Sequence, residues 1–530
     1  MKRVVIIGGG ISGLAAAHRL LERDAAIDLT LLESSSRLGG IVRTDERDGF
    51  LLERGPDSFI SEKPAALDLV RRLDLASRLI ETNDQHRRSF VVRQARLLPV
   101  PEGFHLLAPA RVWPFLKTDI FSWPGKARMA LEFLLPRRSL NGRGAPEDES
   151  LADFVRRRFG REALERMAQP MVGGIYTADP EKLSLRATMP RFLDMERDSR
   201  SIIRALICGS SPTVREGSGS SPTVREGSGS SPTVREGSGS NPTVREGSGS
   251  NPTVREGSGS SPTVREGSDT SGARYSLFLS FDRGMQVLTD ALAARVSQRA
   301  TVKLNTTANS LARVQGGTGW EIKTARDEML IADAVCLALP AYTSARLLRA
   351  VDADLAAELQ EISYASSATI NLAYKRQDLP HALDGFGFVV PFIERRSIMA
   401  CSFSSVKFAG RAPVGQVLLR AFAGGALQPE MFELNDSELL ARVRADLRDL
   451  LGIREPPLFA EVSKWPRSMP QYHLGHLERV QRIKERAAAL QGLVLAGNAY
   501  SGLGIPDCIS SGEAAAERIQ AASSSSEFKL

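Results

Sequence analysis

Cysteine is scarce in this chain: Cys208, Cys336, Cys401 and Cys508 are the four in 530 residues, far apart and without a CxxC pair. No histidine stands near them at ligand spacing, so neither a disulfide framework nor a zinc site is expected. Long apolar runs are missing too; none reaches the roughly 18 residues of a spanning helix. The N-terminal apolar run is broken by glycines, which argues against a signal peptide, and a cytoplasmic location is expected. No basic run is interleaved with aromatics, so nucleic acid is not an expected partner. The net charge of +7 is modest for this length. It reads as a solvated, arginine-rich surface; a basic groove for an anionic substrate or a face for anionic lipid are the other readings. Hydrophobic residues at 42% and charged residues at 25% are ordinary for a globular protein with room for two or three cores.

What is present starts with Val4-Val5-Ile6-Ile7, four apolar β-formers that run into Gly8-Gly9-Gly10-Ile11-Ser12-Gly13 and then a helical pattern. Gly8-x-Gly10-x-x-Gly13 has the spacing of a dinucleotide-binding βαβ unit. Gly8 makes the tight turn, Gly10 admits a pyrophosphate to the backbone, and Gly13 lets helix lie on strand. The helix N-terminus, at Ile11 and Ser12, then offers free N–H groups to phosphate. A second apolar strand, Leu29-Thr30-Leu31-Leu32, ends in Glu33 and Ser34. Glu33 lies 20 residues beyond Gly13, where a carboxylate accepts a bond from a ribose 2′-hydroxyl.

Two further glycine turns follow. Arg37-Leu38-Gly39-Gly40 is a loop in which an arginine can face phosphate, and Phe50-Leu51-Leu52-Glu53-Arg54-Gly55-Pro56-Asp57-Ser58 follows it. The apolar spacing predicts an amphipathic helix over 65–80. Residues 89–99 read as a hairpin turning near Gln94-Ala95. Residues 105–196 carry a helical pattern broken by prolines; Trp113, Phe115, Phe121, Trp123, Phe133 and Leu135 are expected in its core, with a membrane-interface surface as the alternative. From Gly209 to Ser268 one decapeptide, Gly-Ser-(Ser/Asn)-Pro-Thr-Val-Arg-Glu-Gly-Ser, repeats six times. One valine per copy cannot offset the entropy of ordering, so this segment is expected to be a disordered insert in a tolerant surface loop. Beyond it, strand patterns at 274–281, 302–306 and 334–340, a helix at 286–299 and a hairpin at Gly316-Gly317-Thr318-Gly319 resume the first domain. A mixed sheet is expected from Tyr364 to Ala423, a helix at 437–451, and finally a strand, a glycine-rich turn and a helix from Gly512 to Ala522.

The order Rossmann βαβ, R-x-G-G, F-x-x-E-x-G-P resembles the amine-oxidase-like FAD enzymes, which include the porphyrinogen oxidases. Three strings narrow the resemblance. Gly174-Ile175-Tyr176-Thr177-Ala178-Asp179-Pro180-Glu181-Lys182-Leu183-Ser184, with Arg191-Phe192-Leu193-Asp194-Met195-Glu196, is similar to the G-x-x-x-G-D-P-x-x-L-S and F-x-x-x-E stretch of the porphyrinogen oxidases, with Ala178 where that family has glycine. Trp465-Pro466-Arg467-Ser468-Met469-Pro470-Gln471-Tyr472-His473-Leu474-Gly475-His476 is similar to its W-x-x-x-x-P-Q-Y-x-x-G-H. Leu503-Gly504-Ile505-Pro506-Asp507-Cys508-Ile509-Ser510-Ser511-Gly512 resembles its flavin-binding end. The matches run from residue 4 to residue 520 in order, omitting only the repeat.

The resemblance implies an α/β protein. Its Rossmann-like FAD-binding domain is discontinuous, at 1–85, 269–345 and 491–522. A mixed-sheet substrate domain covers 86–104 and 346–490, a helical subdomain 105–208, with a membrane-facing surface as the alternative reading of its aromatics, and the disordered repeat 209–268. It implies FAD as cofactor, held by Gly8, Gly9, Gly10, Ile11, Ser12, Gly13, Glu33, Ser34, Arg37, Gly39, Gly40, Gly55, Pro56, Asp57, Ser58, Trp465, Leu503, Gly504 and Ile505. Ala308 stands where the family has a valine against the adenine, and the last helix is expected at the pyrophosphate–ribityl side. The implied reaction is six-electron oxidation of a porphyrinogen, in haem biosynthesis, by three two-electron rounds with oxygen as acceptor. Hydride leaves a meso carbon for flavin N5 and pyrrole protons leave to solvent. Aromatisation makes a strong general base unnecessary, so no catalytic side chain is assigned, and His473 and His476 are read as structural. Arg93, with Arg96 as its neighbour, is the implied rim cation for propionate. Phe403 is the implied ring against a pyrrole, with Phe386 and Phe388 as the opposite wall.

No second GxGxxG is present for a nicotinamide cofactor, which favours oxygen or another diffusible acceptor. An amine oxidase or desaturase on the same scaffold is the alternative. The sequence leaves open coproporphyrinogen III or protoporphyrinogen IX, a peripheral contact with the membrane, a homodimer and a neighbouring haem-pathway enzyme as partner.

Overall fold

The strand that begins the chain, Lys2–Ile7, lies at the centre of a five-stranded parallel sheet. The order across the sheet is Thr301–Lys303, Ile27–Leu32, Lys2–Ile7, Ala334–Leu337, Leu493–Leu495. All four pairings are parallel. Burial on both faces is what an uninterrupted apolar strand demands. Val4 and Ile6 enter the core beneath the helix Ile11–Arg23, whereas Val5 and Ile7 enter the core on the opposite face with Trp320 and Leu348. The computed structural model describes residues 1–24, 26–136, 148–208 and 278–524. The expected disordered repeat at 209–268 and the first residues of the strand expected at 274–281 lie outside the described residues; the remainder of that strand is Phe278–Phe281.

The last helix, Ile505–Ser524, begins seven residues before the expected Gly512. Gly512 is therefore inside the helix, where it allows a close crossing. A Cβ there would stand 2.2 Å from the Ser12 carbonyl oxygen, so no other residue lets this helix lie on the first one. The helix expected over 65–80 is also shorter. It spans Pro64–Arg72 and stops where Asp74 turns left-handed (φ +58°), after which a 3-10 turn, Ala76–Arg78, leads into the strand Leu79–Glu81.

The second sheet has seven strands in the order Phe459–Pro470, Tyr364–Lys375, Gln416–Gly424, Ala400–Ser402, Gly387–Val389, Phe90–Arg93, Arg96–Pro99. It is mixed, because Gly387–Val389 runs parallel to Phe90–Arg93 while the other pairs are antiparallel. Gln94 and Ala95 turn the hairpin with φ of +49° and +57°, the paired left-handed geometry that matches strand twist. One face of the sheet packs on the helix Asp436–Leu451 through Ile370, Leu419 and Ala421 against Leu439, Val443 and Leu447. Asn435 and Glu438 form a capping box at the start of that helix. The other face turns toward residues 53–55 and the helical region.

Short helices between Val112 and Ile207 enclose a separate core that includes Phe154, Phe159, Phe192 and Ile202. At its centre Arg158 and Glu132 form a fully buried ion pair. Glu132 also accepts from Ser201 Oγ at 2.5 Å and Ile202 N at 2.9 Å. Such added bonds are what a buried pair needs to offset its desolvation. The aromatic residues of this region divide. Phe115 and Phe121 are core residues as expected, but Trp113 (66% exposed), Trp123 (70%), Phe133 (47%) and Leu134 (80%) stand in solvent. The helix Val112–Lys117 buries Phe115, and the helix Trp123–Ala130 buries Gly125, Lys126 and Met129, while the tryptophan in the first turn of each stays outside.

Candidate functional site

The first two glycine turns lie against each other. Gly39 donates its N–H to the Gly9 carbonyl at 2.8 Å, and Gly10 bridges Gly39 in parallel. Gly8 has φ +110°, and a Cβ at Gly13 would stand 1.9 Å from the Gly8 carbonyl oxygen. Gly10 differs: a Cβ there would meet only the Gly40 Cα, at 4.0 Å, so the space beside it is open. The first intrahelical bond runs from Leu14 N to Gly10 O at 2.9 Å. The amides of Ile11, Ser12 and Gly13 are thus outside the helical ladder, and no acid stands in this first turn. An open cradle and free amides fit a pyrophosphate.

At the adjacent strand end the Glu33 carboxylate accepts from Gly9 N at 2.7 Å and from Ser35 N at 2.8 Å. These bonds fix its direction and leave lone pairs for a ribose hydroxyl. Ser34 Oγ adds a longer contact at 3.3 Å. Thr306 N donates to the Glu33 carbonyl at 2.8 Å and Asn305 N to that of Ser35 at 2.9 Å, which brings the buried Ala308 to the same end. The Arg37 guanidinium donates to the carbonyls of Leu38 (2.7 Å), Gly40 (2.6 Å) and Val42 (3.2 Å). It ties the second glycine turn together, whose carbonyls fold inward around it.

The turn at Gly55 is held from the large sheet. Three successive carbonyls receive side-chain donors. Asn371 Nδ2 bonds Glu53 O at 3.1 Å, Thr369 Oγ1 and Trp465 Nε1 bond Arg54 O at 3.0 and 2.8 Å, and Arg420 bonds Gly55 O. A Cβ at Gly55 would stand 1.8 Å from the Ile41 carbonyl oxygen. Asp57 binds Lys407 Nζ at 3.0 Å and Ser58 Oγ at 2.7 Å. Burial alone would push the Asp57 carboxyl up, but Lys407, Arg420 and the Ser58 hydroxyl outweigh it and hold it well below the usual range. The side chains of Asp57 and Ser58 are thus occupied, and Gly55 and Pro56 present backbone. Sequence reasoning missed this clamp. Its one visible signal was Arg420 within the apolar run Val417-Leu418-Leu419-Arg420-Ala421-Phe422, since a buried charge must be paired.

The strings at 174–184 and 465–476, some 290 residues apart, are hydrogen-bonded to each other. Ser184 N donates to Tyr472 O at 2.8 Å and Leu474 N to Lys182 O at 3.0 Å. Gln471 Nε2 reaches Tyr176 O at 3.3 Å. The phenol of Tyr472 then crosses to the C-terminal turn, donating to Asn498 O at 2.6 Å and accepting from Gly502 N at 2.7 Å. His476 stacks on the Tyr472 ring at 4.0 Å. Burial, with Arg479 and His473 adding to it, lowers the His476 imidazole to about 4, so it is neutral and structural at pH 7. Ala178 is buried in the helical core, where its Cβ is accommodated. A cavity of about 240 Å³ opens beside this junction, lined by Asp179, Lys182, Tyr364, Gln471 and His473 among others.

Leu503 and Gly504 lead into the helix at Ile505, but Pro506 has no N–H and Asp507 caps Gly504 N at 3.1 Å. Asp507 also pairs with Lys63 at 2.5 Å. A carboxylate thus stands at this helix start.

The expected substrate residues do not converge. Arg93, half-buried, faces the helical region and bonds the Asp119 carbonyl, with Nε enclosed and unpaired among the described residues. Arg96 pairs with it across the hairpin and is exposed. Phe403 and Phe388 lie on the opposite face of the sheet, their rings 6.0 Å apart in the core against helix 436–451. Phe403 is 0% exposed and Phe386 is 4% exposed. Since adjacent strand residues point to opposite faces, a ligand that meets Arg93 cannot reach Phe403 or Phe388. Those two are core residues, and the enclosed Phe386 is no open wall either.

The model of the flavin-containing amine oxidoreductases matches residues 11–520. The chain belongs to that family. Its cofactor is accordingly FAD, and the glycine cradle fits one. A coproporphyrinogen III oxidase of Propionibacterium freudenreichii subsp. freudenreichii is 38% identical over 97% of this chain and 90% of its own length. One of Bacillus subtilis (strain 168) is 32% identical over 97% of both chains. Among solved structures, one from Exiguobacterium sp. 255-15 with a provisional protoporphyrinogen oxidase name superposes with a TM-score of 0.78 at 28% identity, covering 98% of this chain and 99% of its own. The chain is thus an oxidoreductase of the flavin amine oxidoreductase family, similar to porphyrinogen oxidases throughout its length.

Proposed function

We propose that this oxidoreductase converts coproporphyrinogen III to coproporphyrin III with oxygen as acceptor, in haem biosynthesis. The observation that carries the reading is the junction of residues 174–184 with residues 465–476 at Tyr472, in a chain similar over nearly its whole length to coproporphyrinogen III oxidases. Bound FAD supplies two-electron acceptance and reoxidation by oxygen, needed three times for a six-electron oxidation. The chain's residues bind and orient. Gly10, Gly40 and the amides of Ile11 to Gly13 take the pyrophosphate. Glu33 holds the ribose hydroxyl and Ala308 the adenine side. Gly55, Pro56, Trp465, Leu503, Gly504 and Ile505 line the ring end, and Arg93 meets a propionate. Neutral His476 is locked in its stack and is not a general base; pyrrole protons leave to water.

The comparison that tests substrate choice is the initial rate on coproporphyrinogen III against protoporphyrinogen IX under air. Faster turnover of coproporphyrinogen III is expected. Faster turnover of protoporphyrinogen IX would reassign the substrate, and turnover of neither would overturn the reading.

No helix among the described residues is long and apolar enough to cross a membrane. We also propose that the face bearing Trp113, Trp123, Phe133 and Leu134 rests on an anionic membrane surface. Lys117 lies 5.0 Å from the Trp113 ring, an exposed cation beside an amphipathic indole.

A further inference from the structure

Behind the Gly55 turn the large sheet carries a group of enclosed charges whose signs do not balance. Lys407 binds Asp57 at 3.0 Å with both side chains less than one-fifth exposed. Arg411 lies 3.9 Å from Glu53, both nearly inaccessible. Glu53 is further held by Thr44 Oγ1 and Met285 N, each at 2.8 Å. Arg411 donates to Ser280 Oγ at 2.8 Å and Phe281 O at 2.9 Å. Arg420, 3% exposed, is the third cation, and it has no carboxylate within ion-pair distance among the described residues. It gives one nitrogen to the Gly55 carbonyl, stands 4.9 Å from the Phe422 ring, and leaves Nε enclosed without a partner.

Three cations thus face two carboxylates, and the surplus one is the one bonded to the turn that lines the proposed ring end. Taking a charge out of water is costly unless something offsets it. Arg420 is compensated by the Gly55 carbonyl, the Phe422 ring beneath it and the longer-range pull of Asp57 and Glu53, carboxylates already bound to Lys407 and close to Arg411. The offset that remains is charge arriving on the opposite side of the turn. A flavin gains negative charge when reduced, and charge near its ring nitrogens tunes its electronics.

We propose that Arg420 is a positioning residue with an electrostatic role, in that it fixes the Gly55–Pro56 peptide and supplies the unbalanced buried cation that makes the flavin easier to reduce. The inference rests on the proposed placement of the flavin ring at Gly55 and Pro56. It does not depend on which substrate delivers electrons.

The test is the flavin midpoint potential of the holoprotein, measured against a reference dye during enzymatic reduction without any porphyrinogen. In Arg420→Met the flavin becomes at least about ten-fold harder to reduce at equilibrium, a shift of about 30 mV to the negative for a two-electron couple. Arg420→Lys keeps the charge and stays near the native potential. Asp57→Asn removes an enclosed anion and moves the potential the other way. A flavin-loaded Arg420→Met protein with the native potential would overturn the proposal. If that variant does not fold, an unchanged potential in Asp57→Asn overturns it instead. Failure of the substrate reading shows separately, as native holoprotein that no porphyrinogen reduces.

Discussion

Tyr472 Oη lies 2.7 Å from the amide nitrogen of Gly502 and accepts its N–H, while donating its own proton to Asn498. One hydroxyl therefore closes both ends of the C-terminal turn, and it comes from the segment that also pairs with residues 182–184. Tyr472→Phe keeps the ring on His476 but leaves two half-buried polar groups without their partner, at a cost of about 1 kcal/mol each. The expected outcome is FAD affinity lowered by about ten-fold or more, read by fluorescence titration of the apoprotein. Native affinity would detach Tyr472 from the cofactor turn.

Gly10 and Gly13 separate cofactor binding from folding. A Cβ at Gly10 enters open space, whereas one at Gly13 collides with the Gly8 carbonyl. Gly10→Ala is expected to fold with a near-native Tm and bind FAD at least about ten-fold more weakly, a loss of about 1.4 kcal/mol. Gly13→Ala is expected to lower the Tm itself. Equal FAD binding by Gly10→Ala and the native protein would remove the pyrophosphate from this cradle.

His476 gives a pH signature. Its folded-state value is lowered to about 4 from 6.5 because the buried imidazole is kept neutral. The unfolded chain then binds the proton more readily, so this contribution is full above pH 6.5 and is lost as pH falls toward 4. The loss amounts to about 3 kcal/mol at most. Tm curves of the native protein and His476→Phe should converge over that window; parallel curves would mean that His476 does not titrate there.

Arg93→Ala tests the rim cation. Loss of a contact made equally in ground and transition states raises KM with little change in kcat. An unchanged KM for coproporphyrinogen III would take Arg93 out of the site.

The exposed aromatic face is testable with vesicles. Replacing Trp113, Trp123, Phe133 and Leu134 together by serine should reduce co-sedimentation with anionic vesicles and leave turnover in solution near native. Equal co-sedimentation would assign these side chains to something other than lipid.

The parts of this molecule that could be read from sequence are those fixed by backbone geometry within a few residues. Gly8, Gly10 and Gly13 have roles that follow from spacing alone, and each has the steric environment the spacing demands. Glu33 followed from its distance along the chain, and the hairpin at Gln94-Ala95 from two apolar runs with two residues between them. What was not legible depends on which face a residue takes after a strand or helix too short to show a period. Phe403 directly follows a three-residue strand, Ala400–Ser402, so its parity cannot be counted, and it falls on the core face. Trp113 and Phe115 share one six-residue helix yet have opposite exposures. The clamp on residues 53–55 escaped notice because its donors, Asn371, Thr369, Arg420 and Trp465, come from three strands that only the folded sheet brings together.

The central claim is that this flavoprotein takes its electrons from a porphyrinogen, and anaerobic reduction of the FAD-loaded protein tests it most directly. One third of an equivalent of coproporphyrinogen III per flavin, added without oxygen, is predicted to bleach the flavin absorbance as the porphyrin Soret band rises, six electrons passing to three flavins. A flavin left yellow by both coproporphyrinogen III and protoporphyrinogen IX, yet reducible by dithionite, would contradict it.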